Sequence, residues 1–252
     1  MWKVSNEGLV RVFQLDNPAE KNAINPQGVE EFIGLLDQAE EDSEVKVILL
    51  TGAGEVFSSG MNVQFFMEPP AADEDNVVVR MFDTLIDFPK PIIVAVNGLA
   101  VGFGATVCGL ADLVLMADSA KLKFPFPALG LVPEACSTYT FPRLMGPQHA
   151  FWALLSSEWF EAKQCKEMGL ALDIVADEKL FSEAMNKAQI LAQAPLVSLI
   201  ETKKLVMDPY RQQLKDVNLK ELKVFADMLS GPACQEGVAA FLEKRKPDFS
   251  NL

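Results

Sequence analysis

Alternating apolar and polar residues at the start of the chain predict a β-hairpin. Trp2 and Val4 precede a polar turn at residues 5–8, and Val10 and Val12 follow it. A period of two places alternate side chains on the same face of a strand, so we expect one face of the hairpin to be buried.

The next regular pattern predicts an amphipathic helix. After a loop rich in Asn and Pro at residues 17–22, apolar side chains recur over residues 26–40 with the spacing of one helix face. They are Val29, Phe32, Ile33, Leu35 and Leu36. We expect this face to pack on a sheet.

Three short apolar runs predict buried parallel strands. They cover residues 45–52, 91–98 and 113–117, and helical patterns lie between them. Continuous apolar runs are typical of strands that are covered on both faces, and their alternation with helices indicates the α/β fold class. The acidic, proline-bearing residues 69–75 predict a loop inside this core.

The end of the chain has a different pattern from the rest. Beyond about residue 190 the strand signals disappear and the remaining sequence predicts helices only. We therefore divide the chain into a core at residues 1–190 and a C-terminal helical region at residues 191–252. The helical region is expected to pack against other subunits of a homo-oligomer.

Composition and charge exclude several classes of function. The net charge of −13 repels phosphates, so we expect no nucleic-acid partner and no anionic membrane partner. The start of the chain has neither the apolar stretch of a secretory signal nor the Arg-rich character of a transit peptide. We predict a cytoplasmic setting. A peroxisomal setting is the alternative, because residues 250–252 read SNL, which is close to the peroxisomal SKL signal.

Histidine and cysteine usage narrows the chemistry further. His149 is the single histidine, and its position after Pro147 predicts the first turn of a helix and no catalytic role. A multi-histidine metal site is excluded, and we expect no metal. The cysteines are scattered without a CxxC pair, which favours buried free thiols over disulfides. They are Cys108, Cys136, Cys165 and Cys234.

Three separated segments together resemble the enoyl-CoA hydratase/isomerase (crotonase) family. They are FSSGMNV at residues 57–63, NGLAVGFG at 97–104 and LGLVPE at 129–134, with NAI at 22–24 and FPRL at 141–144 in support. Each segment alone is a weak signal, but the ordered set is specific and the resemblance covers nearly the whole chain. It implies a repeated ββα spiral core with a C-terminal helical region, assembled as trimers or pairs of trimers.

The resemblance implies that Met61 and Phe103 form an oxyanion hole through their backbone N–H groups. A thioester that becomes an enolate develops negative charge on its carbonyl oxygen, and such donors stabilise that charge. The alternative is that Gly60, Gly102 and Gly104 only permit tight turns.

The resemblance also assigns the acid/base chemistry. The two glutamates with which hydratases of the family activate water correspond to Thr106 and Phe126, neither of which can transfer a proton. Glu134 stands where the peroxisomal-type isomerases carry their single catalytic glutamate, and Phe126 would then line an acyl pocket. One base is enough for isomerisation, because it can remove the α proton and return it at the γ carbon. The alternative for Glu134 is a first-turn helix residue that interacts with the helix dipole.

Coenzyme A would enter as part of the substrate, and we expect no separate cofactor. The resemblance places its binding site at Lys21, Ala23, Gly60 and Asn62, although the family usually has aspartate at the last of these positions. The basic residues 244–246 could reach its phosphates, or could simply be a solvated helix end.

The sequence therefore predicts an enoyl-CoA isomerase that shifts a double bond from the 3 to the 2 position of an unsaturated fatty acyl-CoA. The first alternative is a hydratase or another acyl-CoA enzyme of the same family, such as a thioester hydrolase. The second is a non-catalytic interaction module that retains the fold.

Overall fold

The structure is a computed structural model that describes residues 1–62 and 75–252. Most of the acidic loop predicted at residues 69–75 therefore lies outside the described residues, as does Val63 at the end of the first family motif.

Two sheets form the centre of the described fold. The larger has the strand order β1-β2-β3-β5-β7-β10, in which β1 and β2 are antiparallel and the other neighbours are parallel. The smaller has the order β4-β6-β8-β9, with only the last pair antiparallel. The strands are β1 (Trp2–Glu7), β2 (Val10–Leu15), β3 (Val47–Gly52), β4 (Val56–Ser58), β5 (Ile92–Val96), β6 (Leu99–Val101), β7 (Leu113–Ala117), β8 (Lys121–Lys123), β9 (Trp159–Glu161) and β10 (Asp173–Val175).

A repeated unit generates both sheets. In each of the pairs β3–β4, β5–β6 and β7–β8 the first strand joins the larger sheet and the second, only three residues long, joins the smaller one. Helices follow these pairs and cover the sheets. The described fold thus confirms the α/β class and the repeated ββα arrangement implied by the family resemblance.

Helices account for most of the remaining described residues. They are α1 (Pro26–Glu41), α2 (Val77–Asp87), α3 (Phe103–Thr106), α4 (Ser137–Met145), α5 (Pro147–Ser156), α6 (Ala162–Met168), α7 (Leu180–Ala192), α8 (Leu196–Met207), α9 (Arg211–Leu229) and α10 (Pro232–Leu242). Short 3₁₀ turns occur at Pro18–Glu20, Val107–Gly109, Pro127–Leu129 and Asp177–Lys179.

Helix α1 confirms the predicted amphipathic helix. Asn25 caps it by accepting a hydrogen bond from the Gly28 N–H at 2.7 Å, and Pro26 occupies the first turn, where no N–H is needed. Four of its five predicted apolar residues are buried, whereas Leu35 lies at the margin of the core.

The N-terminal hairpin is present, but its predicted turn is wrong. β1 continues through residues 5–7, and Glu7 pairs directly with Val10, so the turn consists of Gly8 and Leu9. The polar residues that suggested a turn belong to an exposed edge strand, where polar side chains are favourable. Burial is concentrated on β2, whose Val10 and Val12 are almost inaccessible to solvent.

The C-terminal helices pack on the core without a break at the predicted boundary. Residue 190 lies inside α7, and this helix packs on β3 and β5 of the larger sheet. Helix α10 approaches the Pro127–Leu129 turn so closely that a Cβ atom on Gly237 would lie 2.7 Å from the Leu129 backbone. Only glycine allows this contact. The division at residues 190/191 remains a sequence-based prediction.

All four cysteines are buried free thiols, as predicted from their scattered positions. Desolvation raises the pKa of the Cys165 thiol to about 12, which favours the unreactive protonated form. Across residues 1–62 and 75–252, no helix combines the length and apolar character needed to cross a bilayer. Within the same ranges there is no cluster of side chains that could hold a metal ion.

Candidate active site

Two backbone segments meet at the base of the candidate site. One follows β4 and contains Gly60, and the other follows β6 and leads into α3. A Cβ atom on Gly60 would lie 2.6 Å from the Val101 carbonyl oxygen and 3.4 Å from the Phe103 nitrogen. The φ angle of Gly60 is also positive, at 88°. Gly60 therefore permits a main-chain contact that a side chain would block.

Two buried polar side chains hold the first segment in place. The Asn22 amide donates to the carbonyl oxygens of Ala53 at 2.9 Å and Val56 at 2.7 Å. The Ser58 hydroxyl donates to the Asn22 carbonyl at 2.9 Å and accepts from the Gly60 N–H at 3.1 Å. These bonds satisfy the buried polar groups and fix the backbone immediately before Met61.

The bridge between Ile24 and Met61 determines the direction of the Met61 N–H group. The Ile24 N–H donates to the Gly60 carbonyl, and the Asn62 N–H donates to the Ile24 carbonyl. In a parallel bridge of this kind, the N–H of the residue between the two bonded positions points away from the partner strand. The Met61 N–H is therefore directed away from Ile24.

Phe103 supplies a second backbone donor. It is the first residue of α3, so its N–H has no partner within the helix. Helix α3 is only four residues long, however, and continues as the 3₁₀ turn Val107–Gly109. A helix this short has a small macrodipole, so the useful feature of Phe103 is its N–H group.

Glu134 is a buried carboxyl group with one engaged and one unengaged oxygen. The Thr106 hydroxyl donates to Oε1 at 2.6 Å, whereas Oε2 has no partner among the described residues. Glu134 precedes α4, which begins at Ser137, so the alternative of a first-turn helix residue is wrong. The side chain projects from a loop into the interior.

The surroundings of Glu134 favour its protonated form. Desolvation by burial raises the pKa of this carboxyl from 4.5 to about 8, and the negative charge of Glu221 acts in the same direction. The hydrogen bond from Thr106 opposes the shift. Once ionised, Glu134 is therefore a much stronger base than an exposed glutamate.

A cavity of about 750 Å³ connects these groups. Glu134 is the single acidic residue among its described lining residues. Apolar side chains from the core and from the C-terminal helices form much of its wall, including Val78, Phe126, Leu131, Leu222, Leu229 and Val238. Four cationic residues also line it, namely Lys21, Lys123, Arg245 and Lys246.

The basic residues differ in their engagement. Arg245 forms a bidentate ion pair with Glu236, in which Nη2 donates to Oε2 at 2.9 Å, and it also donates to Glu243. Lys123 lies 5.4 Å from the centre of the Trp159 ring. The cavity therefore combines an apolar wall with a local positive region on a chain of net charge −13.

Six of the predicted site residues line this cavity, and two do not. Those that do are Lys21, Gly60, Met61, Phe103, Phe126 and Glu134. Ala23 and Asn62 are not among the described lining residues, although the Asn62 N–H forms part of the bridge beside Met61. No sequence signal identified Lys123, because its strand β8 is only three residues long. No signal identified the hydrogen bond between Thr106 and Glu134 either.

Fold and site together define a ββα-spiral protein with one buried carboxyl in a largely apolar cavity. A sequence model described as enoyl-CoA hydratase/isomerase matches residues 5–251 of the chain. The chain therefore belongs to the enoyl-CoA hydratase/isomerase family.

Individual relatives agree with this assignment. The chain is 33% identical over 250 residues to rat (Rattus norvegicus) enoyl-CoA delta isomerase 2, covering 97% of this chain and 63% of the relative. It thus spans less than two thirds of that protein. It is 34% identical over 250 residues to 1,2-epoxyphenylacetyl-CoA isomerase of Escherichia coli K12, covering 96% of this chain and 95% of the relative.

A solved structure supports the fold independently. An enoyl-CoA hydratase/isomerase from Pseudoalteromonas atlantica superimposes with a TM-score of 0.93 at 29% identity, covering 99% of each chain. The crotonase-like fold implied by the sequence motifs is therefore confirmed.

Proposed function

We propose that this chain is an enoyl-CoA isomerase that moves a double bond from the 3 to the 2 position of an unsaturated fatty acyl-CoA. The observation that carries the proposal is Glu134, the single acidic residue among the described lining of the cavity, with Oε1 bonded to Thr106 and the buried Oε2 without a hydrogen-bond partner among the described residues. A single base that can also return a proton is what an isomerisation requires.

The proton balance assigns a task to each oxygen of Glu134. Ionised Oε2 takes a proton from the α carbon of the thioester, and the bonding electrons move into a dienolate. The same oxygen then returns the proton to the γ carbon, which leaves the double bond between the α and β carbons. Oε1 remains bonded to Thr106 throughout and keeps the carboxyl group oriented.

The dienolate oxygen would be stabilised by the N–H groups of Met61 and Phe103. Their segments are in main-chain contact at Gly60, so both donors belong to one rigid part of the backbone. Each such donor typically stabilises the developing charge by about 3 kcal/mol. Neither contribution depends on the side chain of the donor residue.

The two kinds of cavity wall suit the two ends of an acyl-CoA. The apolar wall that includes Phe126 and Leu222 would bury the acyl chain. The cations Lys21, Lys123 and Lys246 would face the phosphates of the coenzyme A portion. This local positive region would offset the repulsion between a chain of net charge −13 and the phosphates of such a substrate.

The alternatives fit these observations less well. A hydratase activates water with one carboxyl and protonates carbon with another, but the corresponding positions hold Thr106 and Phe126, and the Thr106 hydroxyl is bonded to Glu134. A non-catalytic interaction module would not need a buried carboxyl in the lining of its cavity.

Product analysis tests the proposal. The protein is incubated separately with a 3-enoyl-CoA and a 2-enoyl-CoA, and the products are separated and identified. Interconversion of the two supports the isomerase. A 3-hydroxyacyl-CoA product would indicate a hydratase instead, and release of free coenzyme A would indicate a hydrolase. Binding without conversion would indicate a non-catalytic interaction module.

The variant Glu134→Gln tests the assigned base. Isomerase turnover should fall by roughly 10²–10⁴-fold with nearly unchanged acyl-CoA binding, because the contacts to coenzyme A lie elsewhere. Met61→Leu preserves the N–H donor and should change turnover by only a few-fold. Glu158→Gln, at an exposed glutamate, serves as the matched control. Near-normal turnover of Glu134→Gln would contradict the assignment.

We also propose that the protein is a homotrimer or a pair of trimers. Helix α5 exposes Phe151, Trp152 and Leu155, with 60–65% of each residue accessible. An exposed apolar group of this size favours burial against another subunit. A cytoplasmic or peroxisomal location remains the expectation from the sequence.

A further inference from the structure

Glu221 is a buried carboxyl group that the proposed reaction does not use. It belongs to α9, only 6% of it is exposed, and it reaches the turn that follows Glu134. Its Oε2 accepts the Cys136 N–H at 2.8 Å, and its Oε1 accepts the Thr138 N–H at 3.0 Å. The Thr138 hydroxyl also donates to Oε1.

The turn that Glu221 holds has an unusual backbone. Ala135 and Cys136 have φ angles of 58° and 56°, so two successive non-glycine residues adopt the left-handed conformation. Such a conformation persists only where surrounding contacts impose it. The Ser137 hydroxyl supplies one contact by donating to the Glu134 carbonyl at 2.6 Å, and α9 supplies the others.

Burial and hydrogen bonding act in opposite directions on the charge of Glu221. Desolvation raises the pKa of this carboxyl from 4.5 to about 7, whereas the hydrogen bonds from Thr138 and Cys136 lower it. Because both of its oxygens accept backbone N–H groups, the ionised form makes the stronger set of bonds to the turn. Charge-assisted bonds of this kind are stronger than neutral ones. The carboxylate also acts as an N-terminal cap for α4, provided by a different helix.

The negative charge of Glu221 acts on Glu134 as well as on the turn. It raises the pKa of the Glu134 carboxyl, in addition to the larger effect of desolvation. Other ionisable groups near the turn include the Cys136 thiol and the Tyr139 phenol, which pack in one cluster, and Asp83 of α2. Asp83 accepts a hydrogen bond from Asn218, which precedes Glu221 by one turn on α9. Glu221 thus has both a mechanical and an electrostatic connection to the proposed base.

We propose that Glu221 is a positioning residue for Glu134: its carboxylate holds the left-handed turn at Ala135 and Cys136 and so directs Glu134 into the cavity. This inference rests on the proposed function of Glu134 as the proton shuttle. It predicts that α9, which also contributes Leu222 to the acyl wall, connects the substrate pocket to the orientation of the base.

The variant Glu221→Gln provides the first test. A carboxamide has one acceptor oxygen, so its NH₂ group must face either the Cys136 or the Thr138 N–H group. We expect kcat to fall by roughly 10- to 100-fold with little change in KM, because misplacing a base affects the chemical step rather than substrate binding. Asp227→Asn removes a charge from an exposed position on the same helix and is the matched control.

A second measurement does not depend on turnover. Protein labelled with ¹³C at the glutamate carboxyl carbons is titrated by NMR, and the Glu134 resonance is identified by its loss in Glu134→Gln. In Glu221→Gln its titration midpoint should move to lower pH, because the neighbouring negative charge is gone. A purely structural role for Glu221 would not require this direction of change.

The outcomes separate the two proposals. Reduced kcat together with a lowered Glu134 midpoint supports the positioning role, whereas unchanged kcat or an unmoved midpoint overturns it. If the wild-type protein does not isomerise enoyl-CoA, the proposed function fails, and the titration alone decides whether Glu221 acts on Glu134. If Glu221→Gln does not fold, Thr138→Val takes its place, because it loses the hydroxyl that donates to Oε1. Thr138→Val should lower kcat and the Glu134 midpoint by smaller amounts, and Thr138→Ser, which keeps the hydroxyl, should restore both.

Discussion

Replacing Glu134 by Gln should stabilise the protein at alkaline pH while it removes the proposed base. A pKa that rises from 4.5 in the unfolded chain to about 8 in the folded protein corresponds to roughly 5 kcal/mol, at about 1.4 kcal/mol per pH unit. The folded protein binds this proton more tightly than the unfolded chain. Wild-type stability should therefore fall as pH rises from 4.5 to 8 and level off above that range.

Glutamine does not titrate, so the variant lacks this pH dependence. Its amide places a donor where Oε2 has no described partner, and this unsatisfied donor lowers the free energy of unfolding by about 1–3 kcal/mol at every pH. Urea unfolding of both proteins between pH 4.5 and 9 measures the difference in free energy of unfolding. Relative to wild type, the variant should gain up to roughly 5 kcal/mol across this window.

Glu158→Gln, at an exposed position, should run parallel to wild type and serves as the control. If the curves for Glu134→Gln and wild type also ran parallel, the carboxyl would not be desolvated in the way the structure indicates. In that case the argument for a strengthened base would fail with it.

Three further predictions concern the backbone, the cations and the assembly. Gly60→Ala should lower stability by about 1–3 kcal/mol in thermal unfolding, because its Cβ would lie 2.6 Å from the Val101 carbonyl oxygen at a positive φ angle; unchanged stability would contradict the close contact. Lys123→Gln should weaken coenzyme A binding in calorimetry, and the loss should shrink as salt is added; a salt-independent loss would exclude a phosphate contact. Light scattering should give an oligomer that Trp152→Ser weakens, and a wild-type monomer at micromolar concentration would refute the assembly.

The sequence pattern predicted the elements whose side chains have a clear period or a clear burial. The run at residues 113–117 corresponds to β7 (Leu113–Ala117), and the helix predicted at residues 26–40 corresponds to α1 (Pro26–Glu41). In β7 the signal is a continuous apolar run, and in α1 it is the helical spacing of apolar residues. In both cases several residues give the same indication, so the prediction does not depend on any one of them. A cap at Asn25 adds a local signal for the start of α1.

Shorter elements gave no such signal. β4, β6 and β8 each have three residues, which is too few to establish an alternation. Each of these strands buries one apolar side chain at its centre, namely Phe57, Ala100 or Leu122, and a single buried residue is too little to mark a repeat in the sequence. The structural repeat was therefore inferred from the family resemblance and not from any internal sequence repeat.

The candidate site was predicted in part. The family motifs identified Met61, Phe103 and Glu134, and the structure brings all three to one cavity. The partner of Glu134 was not predicted, because Thr106 was considered only as a residue that cannot transfer a proton. Contacts between distant loops depend on the tertiary fold and leave no local pattern in the sequence.

The close docking of α10 restricts how the substrate range of such a protein can change. Gly237 lies against the Leu129 backbone with no side chain between them, so the helix has no compressible layer on which to shift. For the proposed acyl-CoA substrate, new chain-length preferences would therefore arise from exchanges of side chains that line the cavity, such as Leu222 and Leu229 on α9. For protein engineering, these positions can be varied, whereas the contact between Gly237 and the Leu129 backbone fixes where α10 lies beside the pocket.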